Sequence, residues 1–145
     1  SDVYKRQISC SGIIVELTES GYLEGTPAVR SVWNDMKQLR IQIALDDFGT
    51  GYSNLMNISN LEPDIVKLDR GFTLKALSRS YEYQLMQYVI EMVHKLNQYV
   101  CVEGVETKED LEKIKALGPD LIQGYYYSKP CSRDEFLKKF FDYSE

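Results

Sequence analysis

The sequence predicts an α/β protein in which helices cover a parallel β-sheet. Five short, largely apolar runs alternate with helical stretches, which is typical of a parallel sheet whose buried strands are covered by helices. The chain has 145 residues, 43% of them hydrophobic, so it can bury the core of one domain. The pattern fits both a five-stranded doubly wound sheet and five of the eight units of a (β/α)8 barrel. Length favours the doubly wound sheet, because a closed barrel usually needs ~250 residues.

The apolar runs and the helix signals between them give the order of the elements. The runs occupy residues 12–15, 41–45, 64–68, 99–102 and 121–122. Thr26 and Pro27 form an N-cap and N1 pair for a helix to about residue 38, and 80–97 carries apolar residues at helical spacing. A Gly-rich turn and a short helical segment separate the second and third runs. Capping boxes precede the last two helices, which extend to about residues 117 and 141. They pair Thr107 with Asp110 and Ser132 with Glu135.

Strongly polar residues close or follow every apolar run. They are Glu16, Asp46 with Asp47, Lys67 with Asp69, Glu103, and Gln123. Both α/β architectures place ligands at the carboxyl ends of their strands, so we expect these side chains to converge on one rim. Carboxylates held this close repel one another, and a pair of hard divalent cations is the simplest neutraliser. Oxygen ligands without His or Cys fit Mg²⁺ or Mn²⁺, and two such ions commonly assist the attack of water on a phosphodiester. Lys67 would add a fixed positive charge.

The composition excludes several kinds of partner and site. Lys and Arg number 17 against 22 Asp and Glu, a net charge of −5, which argues against a nucleic-acid polymer or an anionic membrane surface as partner. No apolar run approaches the roughly 20 residues that a membrane span needs. His94 is the only histidine, so no His-based triad or zinc cluster is available. The three cysteines form no C-x-x-C pair, and we expect reduced thiols in a cytosolic protein.

The Gly-rich turn that follows Asp47 starts like a dinucleotide-binding fingerprint. Gly49 and Gly51 flank Thr50, but Asn54 stands where the third glycine of that fingerprint would lie. The two aspartates at the mouth of the turn would also repel a pyrophosphate. We therefore predict a mobile loop at the rim of the site instead of a dinucleotide-binding turn.

Five motifs in this sequence resemble those of the EAL-domain family. They are ELTES at 16–20, DDFGTGYSNL at 46–55, DIVKLDRGF at 64–72, VEGVET at 102–107 and QGYYYSKP at 123–130. The motifs occur in the family's order, one at each predicted strand end. The resemblance implies a (β/α)8 barrel and the metal-dependent hydrolysis of cyclic di-GMP to its linear dinucleotide with Mg²⁺ or Mn²⁺. It further implies a bacterial cytoplasmic protein, a homodimer, and an upstream cyclase-like or sensor domain.

The resemblance also assigns roles to individual residues. Carboxylates implied as metal ligands are Glu16, Asp46, Asp47 and Glu103. Glu103 is also implied as the general base, and Lys67 as the residue near the attacking water. Gln123 resembles the family's site glutamine, with Gly49, Thr50 and Gly51 in the adjoining loop. Supporting acids are Glu19, which would anchor that loop, Glu106 and Asp69.

Two features of the family are absent from the sequence. The E-A-L motif of the first strand does not occur, and neither does the asparagine that precedes Glu16 in the family. We therefore expect 8–145 to be the C-terminal part of an EAL domain, about the last five βα units of an incomplete barrel, and inactive alone. Residues 1–7 are expected to be a sequencing-adapter scar, because 2–7 match the translation of a transposon end used in library preparation. Alternative hypotheses are a degenerate EAL domain that binds cyclic di-GMP as a receptor, and a complete doubly wound domain of the response-regulator kind.

Overall fold

The structure, a computed structural model, describes residues 12–18, 27–50 and 62–141. Within these ranges the chain forms five strands and five helices. The strands are β1 (Ile14–Thr18), β2 (Gln42–Phe48), β3 (Ile65–Leu68), β4 (Tyr99–Glu103) and β5 (Leu121–Gln123). The helices are α1 (Pro27–Gln38), α2 (Arg70–Ser78), α3 (Ser80–Lys95), α4 (Lys108–Lys115) and α5 (Arg133–Phe140). No helix in the described ranges is long and apolar enough to cross a membrane.

The strand order distinguishes the two architectures that the sequence left open. All neighbouring strands are parallel, and they lie in the sheet in chain order, β1-β2-β3-β4-β5. A doubly wound sheet reverses its order at a switch point, whereas each connection here advances to the next strand in one direction, as in a barrel. The α/β class and the barrel type of strand order are confirmed, and the doubly wound sheet that length favoured is wrong.

The two faces of the sheet bury different side chains. One face packs against the helices and carries the larger apolar residues, including Ile43, Leu45 and Val102, in one cluster with residues of the helices. The other face carries a small separate cluster of Ala44, Ile65 and Cys101. This division explains why the runs are largely apolar in sequence, since both faces of the central strands are buried.

One helix was not expected from the sequence. Helix α2 follows β3 at once, and Asp69 is its N-cap, because the Asp69 carboxylate accepts a hydrogen bond from Gly71 N at 2.7 Å. Asp69, expected at the site, thus also serves a local structural role. Arg79 adopts extended angles and separates α2 from α3. Both predicted capping boxes are present, at Thr107 and at Ser132. The expected N-cap Thr26 and the short helix between the second and third runs lie outside the described residues.

Two strands continue past the polar residues that were expected to end them. Glu16 lies in the middle of β1, because Leu17 and Thr18 still pair with β2. Asp46 and Asp47 lie within β2, where the register to β3 shifts between Leu45 and Phe48. The irregularity coincides with a left-handed backbone at Asp47, whose φ is 61°. The shift is a bulge of the kind that re-aims side chains next to functional sites.

Candidate functional site

The site is built around Lys67, which projects from the sheet face opposite the helices. Its Nζ lies 2.7 Å from Glu103 Oε1, 2.9 Å from Glu16 Oε1 and 3.1 Å from Asp46 Oδ1. The Lys67 side chain is only 7% exposed. Burial alone would lower the pKa of Lys67, but the interactions with Glu103, Glu16 and Asp46 outweigh it and hold the pKa above its ordinary value. The ammonium is therefore charged and neutralises part of a concentrated negative charge.

Strand register explains why carboxylates from distant parts of the sequence meet here. Side chains two residues apart share a face of a strand, and in parallel strands the register sets their height. Thr18 pairs with Asp46, and Lys67 pairs with Cys101, two residues before Glu103. Strands β1, β2 and β4 therefore each present one carboxylate to the lysine of β3.

One carboxylate oxygen of Asp46 lacks a hydrogen bond. Its Oδ1 is buried and makes no hydrogen bond of acceptable geometry, although it lies 3.1 Å from Lys67 Nζ. The contact is therefore an ion pair without a well-directed N–H. A buried carboxylate oxygen in this state has capacity for a cation as ligand.

Asp47 lies beside this cluster on the bulge of β2. Burial raises the pKa of the Asp47 carboxyl first, and repulsion from Asp46 and Asp69 raises it further, while Lys67 acts in the opposite direction. Thr50 Oγ1 donates a hydrogen bond to the Asp47 carbonyl at 3.1 Å. Asp47 thus combines a left-handed backbone with an exposed carboxylate that lies near other negative charges.

Two other expected residues, Gln123 and Glu106, lie along a cavity next to Glu103. Gln123 pairs with Glu103 across β4 and β5, and both line a cavity of about 440 Å³. Glu106 lies on this cavity but pairs with Arg70, whose Nη2 is 2.7 Å from Glu106 Oε1. Glu19 and Gly51 lie outside the described residues.

Gly49 is required by its surroundings. Its φ is 103°, and a Cβ there would lie 2.8 Å from Cδ1 of Phe72 on α2. The loop after β2 therefore packs closely on the start of α2, so only a residue without a side chain fits.

Sequence reasoning missed Arg70 and Gly104. The Arg70 side chain crosses Gly104, which has φ 81° and where a Cβ would overlap Arg70. Arg70 directly follows Asp69 in the DIVKLDRGF motif, which is the one signal that could have pointed to it. The Arg70–Glu106 pair joins the segments that follow β3 and β4 next to Glu103.

The donor chemistry of the cluster fits a hard divalent cation. Glu16, Asp46 and Glu103 offer only carboxylate oxygens, and each has one oxygen within 3.1 Å of a single cationic atom. In the described part of the chain no group of three His, Cys, Asp or Glu side chains is arranged to hold a metal ion. Where the three carboxylates meet, the Lys67 ammonium lies among them.

Comparisons with known proteins identify the family and related folds. The sequence model of the EAL domain family matches residues 2–130. The chain is 34% identical over 126 residues to the cyclic di-GMP phosphodiesterase PdeF of Escherichia coli, and the match covers 87% of this chain. The solved structure of the EAL enzyme Bd1971 with cAMP and cyclic di-GMP bound superposes with a TM-score of 0.85, at 31% identity over 93% of this chain. The manganese and cyclic di-GMP complex of Klebsiella pneumoniae BlrP1 gives 0.79, at 27% identity over 86%.

These matches cover only part of the longer proteins. The chain spans 17% of PdeF, 36% of the Bd1971 chain and 32% of the BlrP1 chain. The family match covers most of the sequence, and the sequence order of the strands and the motifs at their ends agree with it. The chain belongs to the EAL domain family.

Proposed function

We propose that this chain supplies the metal-binding rim of a phosphodiesterase that opens cyclic di-GMP to its linear dinucleotide. The observation that carries the proposal is the convergence of Glu16, Asp46 and Glu103 from three strands on the single ammonium of Lys67, at 2.7–3.1 Å. Surface charges seldom converge in this way, since like charges held together cost free energy unless a function retains them. We take cyclic di-GMP as the substrate because PdeF is named a cyclic di-GMP phosphodiesterase and the Bd1971 structure has cyclic di-GMP bound.

Four carboxylates would hold two divalent ions, either Mg²⁺ or Mn²⁺. They are Glu16, Asp46, Asp47 and Glu103. When bound, such ions supply Lewis-acid stabilisation of the phosphodiester oxygens and lower the pKa of an attacking water. The manganese in the BlrP1 complex supports a divalent ion, and the crowding of Asp47 beside Asp46 and Asp69 supports the inclusion of Asp47.

The chain's own residues perform the rest of the reaction. Glu103 accepts a proton from the attacking water as general base, and Lys67 fixes a positive charge beside the path of attack. Gln123, opposite Glu103 in the neighbouring strand, orients the substrate from the wall of the cavity. Glu106 supports this wall through Arg70. Glu19 would anchor the loop that carries Gly49, Thr50 and Gly51.

The setting of the activity is also part of the proposal. The relatives come from bacteria and are much longer than this chain, which supports a bacterial cytoplasmic protein with a sensor or cyclase-like domain beside the EAL domain. We further propose that the whole protein forms a homodimer. Each of these points concerns the longer protein.

The test is to replace Asp46 by Asn in the full-length protein that contains this chain. Asp46→Asn removes a charged ligand while it keeps the size of the side chain. We expect hydrolysis of cyclic di-GMP to fall about a thousandfold, a loss of ~4 kcal/mol of transition-state stabilisation. Asp35→Asn, on the exposed part of α1, is the matched control and should hydrolyse normally.

Two outcomes would contradict the proposal. Near-normal turnover by Asp46→Asn would rule out the metal-binding role of this carboxylate. A wild-type protein that binds cyclic di-GMP but releases no linear dinucleotide in Mg²⁺ or Mn²⁺ would instead be a receptor. Separation of the nucleotide products by chromatography distinguishes these cases.

A further inference from the structure

Lys67 supplies positive charge among the three carboxylates, as a metal ion bound at the same place would do. It brings a positive charge within 2.7–3.1 Å of oxygens from Glu16, Asp46 and Glu103. An ammonium has three N–H donors, so three carboxylates are as many partners as it can serve directly. The Lys67 side chain is nearly fully buried, and its strand is buried along its whole length. Water therefore offers the ammonium little alternative solvation in this position.

The same oxygens cannot serve the lysine and a divalent ion fully at the same time. Mg²⁺ takes carboxylate oxygens at about 2.0–2.1 Å and demands near-octahedral geometry, whereas the ammonium needs each oxygen at about 2.7–3.1 Å along an N–H. The two cations would also repel each other strongly at such separations in a partly buried site. Each ion pair that a metal takes over is thus one that Lys67 loses.

We infer that Lys67 and a divalent metal ion compete for the carboxylates of Glu16, Asp46 and Glu103. The inference rests on the metal site proposed above, and it adds that Lys67 is an internal cation that keeps the carboxylates together and lowers the apparent affinity for metal. Bound metal would then weaken the ion pairs between the ammonium and these carboxylates. The incomplete hydrogen bonding of Asp46 Oδ1 marks the oxygen that Lys67 holds least well.

The direct test is a metal-binding measurement on the full-length protein that contains this chain, after treatment with chelator. Lys67→Met removes the competing charge and keeps much of the side-chain length. Because ligands that compete for one site are thermodynamically linked, we expect Mn²⁺ to bind Lys67→Met about tenfold more tightly than wild type. Free Mn²⁺ is quantified by its paramagnetic resonance signal during titration.

A matched control separates local competition from a general change in charge. Lys115 lies exposed on α4, and Lys115→Met removes the same unit of charge. We expect this variant to bind Mn²⁺ as wild type does. Equal or weaker Mn²⁺ binding by Lys67→Met, with normal binding by wild type, would overturn the inference and leave the metal site intact. No Mn²⁺ binding by either protein would overturn the metal site and the inference with it.

A second measurement on the wild-type protein keeps the inference testable if Lys67→Met does not fold. Mild acetylation followed by peptide mass spectrometry reports how accessible each lysine amine is. We expect Mg²⁺ to increase the modification of Lys67 several-fold relative to Lys115, because the ammonium leaves its ion pairs. An unchanged ratio of Lys67 to Lys115 modification at saturating Mg²⁺ would overturn the inference.

Discussion

Two glycines with nearly the same backbone angle show how neighbours decide what a residue contributes. Gly104 has φ 81° and Gly118 has φ 76°, both in the left-handed region that glycine favours. A Cβ at Gly118 would meet no atom within 4 Å, whereas one at Gly104 would overlap the Arg70 side chain and approach its backbone. Both packing against Arg70 and the backbone angle therefore require glycine at position 104, whereas only the backbone angle favours it at position 118.

This contrast gives a pair of stability predictions. Gly118→Ala should cost about 1 kcal/mol, the price of a left-handed residue with a Cβ. Gly104→Ala should cost about 2–4 kcal/mol, because overpacking against Arg70 adds to the same backbone strain. Chemical denaturation of the full-length protein measures both. Equal costs for the two variants would show that the contact with Arg70 is easily relieved.

Asp120 links two elements through a single carboxylate oxygen. Asp120 Oδ2 accepts a hydrogen bond from Val100 N at 2.8 Å and lies 2.8 Å from His94 Nε2. Burial raises the pKa of Asp120, but the hydrogen bonds from Val100 and His94 outweigh it and lower the pKa below its ordinary value. Asp120, which directly precedes β5, therefore connects the end of α3 with the start of β4.

A pH dependence of stability follows with a definite sign. Because the folded-state pKa of Asp120 is lowered, its contribution is complete above the unfolded-state value, about 3.9, and is lost as the pH falls through the folded-state pKa. We expect Asp120→Asn to be less stable than wild type at pH 7 by at most about 1 kcal/mol, since the site is partly exposed, and the difference to shrink as the pH falls below 4. Thermal unfolding from pH 3 to pH 7 tests this, with Asp35→Asn as the exposed control. A difference that stays constant over this range would contradict the assignment.

At the scale of elements, helix α3 has distinct packing and exposed faces. Its buried residues are Met86, Ile90 and Val93, at helical spacing, and they pack into the core on the helix-covered face of the sheet. The neighbouring Leu85 is 42% exposed, while Met86 is fully buried. Two adjacent apolar residues of similar size therefore contribute very differently to stability.

Truncation of these neighbours measures that difference. Met86→Ala should destabilise the protein by about 2–5 kcal/mol, because it removes buried apolar atoms and leaves a cavity. Leu85→Ala should cost less than about 1 kcal/mol, since exposed substitutions rarely cost more. Denaturant unfolding provides both values. If Leu85→Ala proved as costly as Met86→Ala, another surface would have to cover this face of α3.

The strands differ in burial in a way that follows their place in the sheet. All four residues of the central strand β3 are buried, whereas β1 and β5 are half-exposed along their length. Ile14 on β1 and Leu121 on β5 are 48% and 47% exposed. The edges of the described sheet thus present apolar side chains together with backbone groups that lack a neighbouring strand, which favours association with other chains.

At the scale of the whole molecule, these edges predict the behaviour of the 145-residue chain expressed alone. We expect it to self-associate and to show no hydrolysis of cyclic di-GMP in Mg²⁺ or Mn²⁺, because both edges of the described sheet lack a neighbouring strand. The full-length protein should be monodisperse and active. Size-exclusion chromatography and separation of nucleotide products test both lengths side by side. A monodisperse and active 145-residue chain would show that this chain needs no further strands.

The sequence by itself determined the features that depend on neighbours along the chain. The apolar runs predicted the strands, and the capping boxes at Thr107 and Ser132 predicted the starts of two helices. The polar residues that close or follow the runs predicted which side chains lie at the rim of the sheet. Such features depend on spacing and local hydrogen bonding, which a sequence displays directly. The family motifs predicted the roles of the rim residues, and the structure brings Glu16, Asp46 and Glu103 together at Lys67.

Only the tertiary structure decided the order of the strands and the partners of the charged side chains. The sequential sheet depends on pairings between distant segments, which the same run of elements could have made differently. The Arg70–Glu106 pair and the position of Lys67 among three carboxylates also arise from contacts between segments far apart in sequence. Lys67 sits in a buried strand that reads as apolar, and its charge is tolerated there because three strands bring carboxylates to it.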